Sequence, residues 1–290
     1  MKNKGEVSLP PVPAVLLSIV SVQGGAAIAK GIFPVLGAAA TSSLRIVLSA
    51  IILVIYNRPD IRNLTKSQWK LVSIYGVTLG LMNLVFYLAI ERIPLGLGVT
   101  LEFIGPLVLA LTGSKKALDF IWVILAAAGI ALIAPWSSKG LDLIGILLAL
   151  LAGVFWASYI IIGGRISKIM DSGKAVTIGM LFASVVIIPF ALAGGIVNNI
   201  TPGLFFSGLA LALLSSAIPF TLEMKALRKM PAKTFSILMS LEPAAGALSG
   251  LIFLHEHLSV FEWMAVFLVV IASAGATLTK KKQEQVMPEC

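Results

Sequence analysis

The chain consists mostly of long apolar runs separated by short polar breaks. A helix needs about 20 apolar residues to cross a bilayer, and ten runs approach that length. The alternation typical of transmembrane β-strands is missing, so the runs predict helices. The predicted spans are residues 12–33, 38–56, 69–90, 95–113, 119–136, 143–162, 175–197, 203–224, 232–253 and 260–279. The expected fold class is therefore an all-α polytopic membrane protein with ten transmembrane helices.

The composition of the chain excludes a water-soluble globule. Of its 290 residues, 58% are hydrophobic and 12% are charged, whereas soluble domains carry about 25% charged residues. The only cysteine, Cys290, is the last residue, so no intrachain disulfide can form and a redox or zinc centre is not expected. Lys2 and Lys4 precede an apolar run that is too long for a cleaved signal peptide, and we interpret this run as the first span.

The net charge of +9 is explained by the distribution of lysine and arginine rather than by nucleic-acid binding. Cytoplasmic loops of membrane proteins accumulate these residues. With ten spans both termini lie on one side, and 18 of the 22 lysine and arginine residues fall on that side. The other four are Lys30, Arg45, Arg92 and Lys139. This asymmetry predicts a multi-pass protein of the cytoplasmic membrane with both termini in the cytoplasm.

A segment of the first half of the chain recurs 137 residues later. Leu88–Pro106 aligns with Met224–Pro243, and each copy contains two prolines that are twelve residues apart. Each copy also carries one glutamate inside an otherwise apolar run, Glu102 in the first and Glu242 in the second. This recurrence indicates a duplicated membrane protein with an acidic residue buried in each half.

The duplication predicts two halves of five spans each, residues 1–136 and 143–279, followed by a cytoplasmic tail at 280–290. Because five is odd, the second half enters the membrane in the opposite orientation, so the halves are expected to be inverted repeats. This architecture is typical of secondary transporters, which bind substrate near the midplane between the repeats. The alternative is that the duplication only builds a stable helical bundle.

Four charged residues are predicted to lie within the bilayer or near its surface. A charge at the centre of a span costs about 2.5–3.5 kcal/mol on insertion scales, so each one needs a reason. Glu102 and Glu242 are candidates for proton carriers or for receptors of a substrate ammonium group. Arg45 or Lys30 could receive its carboxylate. Arg45 and Glu102 are also expected at similar depth, so an ion pair that only holds helices together remains open.

Neutral polar side chains also reach the predicted membrane interior. They can line a cavity for a polar solute, or bond helix to helix for about 0.6 kcal/mol on average. The candidates for substrate binding, besides the two glutamates, are Gln23, Asn83, Tyr87, Trp156, Ser158 and Tyr159. Glu223 is predicted at the cytoplasmic end of the eighth span, where contact with Lys225 or Arg228 is a sufficient explanation.

Prolines inside the predicted spans indicate how a site could be built. Pro106, Pro219 and Pro243 each remove a backbone donor and free a carbonyl one turn earlier, so a helix can bend there.

Other motif-like segments indicate no chemistry. His255-Glu256-His257 has no further ligands nearby, and Gly96-x-Gly98 lacks the strand and phosphate-loop context of a nucleotide site. No nucleophile motif of a hydrolase is present. We therefore expect no catalytic residues, no metal, no cofactor and no enzymatic activity.

Several segments resemble the EamA-type permeases of the drug/metabolite transporter superfamily, and within them bacterial inner-membrane exporters of threonine and homoserine. The segments are SVQGGAAIAKGIFPVLG (21–37), LEFIGPL (101–107), DFIWVILAAAGI (119–130), LEMKALRKMPAKTFSILMSLEPA (222–244) and GLIFLHE (250–256). The resemblance implies efflux of small amino acids driven by the proton gradient. His255 departs from the pattern, since glycine is common there in this subgroup.

The sequence thus predicts a proton-coupled exporter that works by alternating access, with a small-molecule substrate, protons and the lipid bilayer as partners. A facilitator or exchanger of another small metabolite or drug is the first alternative. A non-transporting receptor or assembly subunit is the alternative from another class. No nucleic-acid partner is expected, and the sequence leaves the oligomeric state open.

Overall fold

A computed structural model of the protein describes residues 10–111, 117–133, 142–193, 201–230, 235 and 238–284. Within these residues the secondary structure is entirely helical. Six continuous helical segments among them are long and apolar enough to cross a membrane. Large apolar side chains point away from the bundle, for example Val20 and Phe206, which are 66% and 65% exposed. Such a surface suits lipid rather than water, and the prediction of a polytopic helical membrane protein is confirmed.

The described helices follow the predicted apolar runs. They are α1 (Pro11–Leu36), α2 (Ala38–Asn57), α3 (Lys66–Ile90), α4 (Leu95–Glu102), α5 (Ile104–Leu111), α6 (Ala117–Ile133), α7 (Leu143–Ile169), α8 (Ser172–Ala193), α9 (Pro202–Ala212), α10 (Ile218–Lys229), α11 (Glu242–Leu254) and α12 (Val260–Glu284). A π-helical turn, Leu213–Ala217, joins α9 to α10. Parts of the predicted loops, of the ninth span and of both tails lie outside the described residues.

Several helix boundaries differ from the predicted spans, among them the end of α12, which lies at Glu284 instead of 279. The helix α7 continues to Ile169 instead of ending at 162, and α10 continues to Lys229 instead of ending at 224. In both cases the helix continues through a segment that contains lysine and arginine. The fourth run is interrupted at Phe103, between α4 and α5. Pro106 explains this break, because it lacks the N–H that would bond to the carbonyl of Glu102.

Local signals explain several helix ends. Gly37 joins α1 to α2 with φ 76° and ψ 160°, a conformation that residues with a side chain rarely adopt. Thr65 and Gln68 form a capping box at the start of α3. Asp142 caps α7 by accepting hydrogen bonds from the N–H groups of the first turn. His255 ends α11 at φ 53°, a left-handed position that favours glycine.

The most extensive packing joins helices of the first part of the chain to helices of the second. The helix α3 packs along α7 and α8, α2 along α8, α4 along α11, α6 along α12, and α1 along α10 and α11.

We call the end of the bundle where α1 meets α2 and α3 meets α4 the Gly37 end. The opposite end, where α2 meets α3 and α7 meets α8, is the Asn57 end. The interior between these helices, midway between the two ends, holds the candidate site.

Candidate functional site

A cavity lies in the middle of the bundle and is bounded by both parts of the chain. It encloses about 540 Å³ of space between the side chains, including its mouth. Only about 60 Å³ of this space can hold the centre of a water-sized molecule, so the cavity is narrow. Its walls are formed by Val22, Gln23, Ala26, Arg45, Met82, Asn83, Phe86, Tyr87, Glu102, Trp156, Phe220, Glu223 and Glu242.

Among the described residues, Arg45 in α2 is the one basic side chain that lines this cavity, and it is only 2% exposed. Its Nη2 donates a hydrogen bond to Oδ1 of Asn83, and its Nη1 donates to the backbone carbonyl of Ser215 at 3.1 Å. The guanidinium carbon lies 4.7 Å from the centroid of the Tyr87 ring, a cation–π distance. All three partners are neutral. Arg45 Nε is buried and has no hydrogen-bond partner in the part of the chain that the structure describes.

Three carboxyl groups face the same cavity. Glu102 is the last residue of α4, Glu242 is the first residue of α11, and Glu223 lies in α10; they are 7%, 3% and 6% exposed. Gln23 in α1 donates a hydrogen bond from Nε2 to Oε2 of Glu242. The ion pair that the sequence allowed between Arg45 and Glu102 is not formed, because the guanidinium bonds to Asn83 and Ser215 instead.

Glu223 is the charged cavity residue that sequence reasoning missed. The predicted eighth span ended at 224, so Glu223 was expected at the membrane surface beside Lys225 or Arg228. The helix continues to Lys229, which moves Glu223 away from the helix end and into the buried part of α10. Pro219, four residues earlier, is the signal that could have identified Glu223, because the sequence already predicted a bend in the helix at this proline.

Three predicted site residues lie outside the cavity lining, namely Ser158, Tyr159 and Lys30. Ser158 faces a separate groove between α5 and α7, and its hydroxyl donates to the carbonyl of Val154 in its own helix. Tyr159 is 3% exposed and stacks on Tyr75, with ring centroids 5.3 Å apart. It therefore belongs to the packed core. Trp156, in contrast, does line the cavity.

Lys30 lies at the Gly37 end rather than in the cavity. Its Nζ forms an ion pair with Oε1 of Glu256 at 2.6 Å and donates to the carbonyl of Ile93 at 2.7 Å. Oε2 of Glu256 accepts a hydrogen bond from the N–H of Leu95 at 2.8 Å. One carboxylate thus ties α1, the α3–α4 connection and the α11–α12 connection together. No role was predicted for Glu256, because His255-Glu256-His257 was rejected as a metal motif.

A second ion pair crosses the same end of the bundle. Arg92, just after α3, contacts Asp142, the cap of α7, with 2.7 Å between Nη1 and Oδ2. This hydrogen bond from Arg92 lowers the pKa of Asp142 below its ordinary value of 3.8. Nearby, the carboxylate of Glu91 accepts the N–H of Ala38 at 3.0 Å at the start of α2.

The short helix α4, which carries Glu102, is held by backbone contacts that only small residues permit. A Cβ on Gly96 would lie 2.6 Å from the Cα of Ala247 in α11. On the other side, a Cβ on Gly153 of α7 would overlap the carbonyl oxygen of Glu102, and one on Gly105 would overlap the backbone of Gly153. Close helix approach at small residues is typical of membrane bundles. It fixes the position of Glu102 relative to two helices of the second part of the chain.

Comparison with known proteins relates the whole chain to membrane transporters. The EamA-like transporter family matches residues 143–278. Threonine/homoserine exporter RhtA of Escherichia coli strain K12 is 41% identical over 95% of this chain and 94% of that protein. The protein of the same name from Salmonella typhimurium strain LT2 shows the same identity and coverage. Uncharacterized transporter YwfM of Bacillus subtilis strain 168 is 24% identical over 74% of this chain and 76% of its own.

A solved crystal structure shares the fold. It superimposes with a TM-score of 0.62, covers 94% of this chain and 99% of its own, and is 16% identical in sequence. At this level of identity the match concerns the arrangement of helices alone.

Proposed function

The chain belongs to the EamA-like transporter family, and we propose that it exports small amino acids of the threonine and homoserine type across the cytoplasmic membrane by proton antiport. It is a membrane transporter rather than an enzyme. The observation that carries the substrate proposal is one cavity in which a guanidinium and three carboxyl groups face the same space. The relatives that are 41% identical are named as threonine/homoserine exporters, which supports the same substrate class.

An amino acid fits this combination of charges. Its carboxylate would bind Arg45, whose present partners are all neutral, so that its positive charge is available to an anion. Its ammonium group would bind Glu102 or Glu242. Gln23 Oε1 and Tyr87 Oη have no hydrogen-bond partner among the described residues, and they could bond to the hydroxyl of threonine or homoserine.

The excess of carboxyl groups over guanidinium supports proton coupling. A zwitterion is neutral overall, so it leaves this excess unchanged when it enters or leaves the cavity. Uncompensated charge is costly inside the membrane, and protons are the counter-charge that carboxyl groups can take up and release. Glu102 is our candidate for the exchanging group, because no described residue forms a hydrogen bond or ion pair with its carboxyl group. Glu242 already bonds to Gln23.

The helix pairing supports ten spans arranged as inverted repeats, residues 1–136 and 143–279. In the predicted repeats α1 corresponds to α7, α3 to α10, and α4 to α11. The contact of α3 with α7 therefore has its counterpart in the contact of α10 with α1, and the contact of α4 with α11 is its own counterpart. A pseudo-two-fold axis in the membrane plane would produce this pattern. With both termini in the cytoplasm, as the lysine and arginine distribution favours, the Gly37 end faces outward.

The ion pairs support alternating access with a gate at the Gly37 end. Lys30 and Arg92 of the first half pair with Glu256 and Asp142 of the second. At the Asn57 end, among the described residues, the ion pair at 3.6 Å between Arg228 and Asp171 lies within the second half. We propose that the two pairs between halves close the outer side and separate when the halves rock to release substrate.

Homoserine efflux from reconstituted vesicles tests the proposal. We expect saturable efflux of labelled L-homoserine that an inward proton gradient accelerates. Glu102→Gln should keep homoserine counterflow but lose the acceleration by the gradient, whereas Glu262→Gln, outside the cavity, should behave as the unaltered protein. If Glu102→Gln and Glu242→Gln both retain the acceleration, neither acid is the proton carrier. If neither homoserine nor threonine shows saturable flux, the substrate proposal fails.

The aromatic walls of the cavity favour a second candidate, a facilitator or exchanger of an apolar metabolite or drug. Phe86, Trp156 and Phe220 present large apolar surfaces to the cavity. Counterflow separates the two candidates, because an aromatic solute that is transported without competition from homoserine would favour the second.

A further inference from the structure

The π-helical turn between α9 and α10 has a direct cause in the sequence. Pro219 has no N–H. In an α-helix that N–H would bond to the carbonyl of Ser215, four residues earlier, and in a π-helix to the carbonyl of Leu214, five residues earlier. The N–H of Ile218 bonds to Leu213, in the π-helical manner. The carbonyl of Leu214 is therefore left without a donor from its own helix, and the carbonyl of Ser215 lacks its α-helical donor.

Side chains of two other helices use these two carbonyls. The hydroxyl of Ser21 in α1 donates to the carbonyl of Leu214. Nη1 of Arg45 in α2 donates to the carbonyl of Ser215 at 3.1 Å. A buried carbonyl without a donor is costly, so each contact stabilises the interrupted helix as well as the side chain that bonds to it. The turn is thereby coupled to the one basic group of the cavity.

A neutral acceptor has a specific consequence for Arg45. A buried guanidinium usually pairs with a carboxylate, which would neutralise its charge. Here two neutral oxygens and an aromatic face hold the group in the cavity, and its Nε has no hydrogen-bond partner within the described ranges. The group is fixed in position while its charge is not matched by a contacting anion.

We propose that the π-helical turn Leu213–Ala217, which Pro219 maintains, positions Arg45 to receive the carboxylate of the exported amino acid. This inference rests on the proposed function of Arg45 as the carboxylate receptor. The turn contributes a backbone oxygen that holds the guanidinium without neutralising it. Pro219 is thus a positioning residue that acts through Arg45.

Gly25 provides an independent means of displacing the turn. A Cβ on Gly25 would overlap the hydroxyl oxygen of Ser215 and would lie 3.0 Å from its Cβ. A methyl group there pushes the turn away from α1 while leaving Pro219 and Arg45 unchanged. The neighbouring Gly24 is a matched control, because its Cβ would meet only Phe253, at an ordinary contact distance of 3.8 Å.

The test measures threonine uptake into everted membrane vesicles, in which an exporter transports its substrate into the lumen, together with inhibition by L-threoninol, which lacks the carboxylate. Pro219→Ala restores the N–H that competes with Arg45 for Ser215. We expect its KM for threonine to rise about tenfold, the size expected when a hydrogen bond to a charged group is lost, with Vmax nearly unchanged. The preference for threonine over threoninol should fall by a similar factor. Pro189→Ala, on the exposed side of α8, should change neither quantity.

The variants separate failure of this inference from failure of the proposed function. If Arg45→Lys and Arg45→Gln leave both KM and the preference unchanged, Arg45 is not the carboxylate receptor. If they change both quantities while Pro219→Ala and Gly25→Ala behave like their controls, the positioning role is overturned and the receptor role stands. If Pro219→Ala does not fold, Gly25→Ala against Gly24→Ala decides alone. A higher KM and a lost preference in Gly25→Ala support the role of the turn.

Discussion

Gln23 and Glu242 join the two halves of the chain across the cavity, through a hydrogen bond from Gln23 Nε2 to Glu242 Oε2. Gln23 lies in the middle of α1, and Glu242 is the first residue of α11. The oxygen of the amide, Oε1, is buried without a hydrogen-bond partner among the described residues. Gln23 therefore fixes one acid of the site with its donor and keeps an acceptor for a ligand.

The replacement Gln23→Leu should destabilise the protein by about 1–3 kcal/mol, because the buried carboxyl group of Glu242 loses its donor. Thermal unfolding in detergent measures the effect. The double variant Gln23→Leu/Glu242→Leu should recover part of the loss, since it removes the acceptor as well. Strictly additive losses in the double variant would show that the two residues are not coupled. Ser158→Ala, which loses a bond only within its own helix, is the control.

The replacement Lys30→Met should open the Gly37 end more often, because it removes the ion pair with Glu256 and the hydrogen bond to Ile93. Cys290 is the only native cysteine, so Cys290→Ser gives a background in which Ala26→Cys reports access to the cavity. We expect a membrane-impermeant maleimide added outside the cell to label this cysteine faster in Lys30→Met than in the same background with Lys30. Arg228→Met at the Asn57 end is the control, and equal labelling in both variants would contradict an outer gate.

The helices could be predicted because each is encoded by a local run of apolar residues. The side of a helix that faces the cavity was harder to predict. Trp156 and Ser158 were both expected in the site, yet two residues correspond to about 200° around an α-helix, so they face different directions. Trp156 lines the cavity and Ser158 faces the groove beside α5.

Contacts between distant parts of the chain could not be predicted from local sequence patterns. The sequence marked Pro219 as a residue that frees a carbonyl, but the donor that uses it, Arg45, lies 170 residues away from Ser215. Glu256 bonds to the N–H of Leu95 across 161 residues. These partners depend on how the two halves pack, which no single helix encodes.

The replacement Gly153→Ala should reduce transport strongly and destabilise the protein by about 1–3 kcal/mol, because it inserts a methyl group where α7 touches the carbonyl of Glu102. The helices α4 and α5 would have to move away, and Glu102 would move with them. Gly164→Ala in the same helix is the matched control, because nothing lies within 4 Å of its added Cβ. Homoserine efflux and thermal unfolding measure both effects. Equal efflux in the two variants would contradict the role of this crossing.

The ion pair of Arg92 with Asp142 should make stability depend on pH in the acidic range. Arg92 lowers the pKa of Asp142, so the pair contributes fully above the ordinary value of 3.8 and its contribution is lost as the pH falls through the lower pKa of the folded protein. Asp142→Asn keeps an acceptor for the start of α7 but removes the charge.

Thermal unfolding in detergent between neutral pH and about pH 3 tests this dependence, a range chosen to extend below the ordinary carboxyl pKa. The unaltered protein should unfold at a higher temperature than Asp142→Asn near neutral pH, and the difference should narrow once the pH falls below 3.8. Arg92→Gln should show the same narrowing, because the pair needs both charges. A difference that stays constant down to the lowest pH would mean that the charge of Asp142 adds nothing to the contact between the halves.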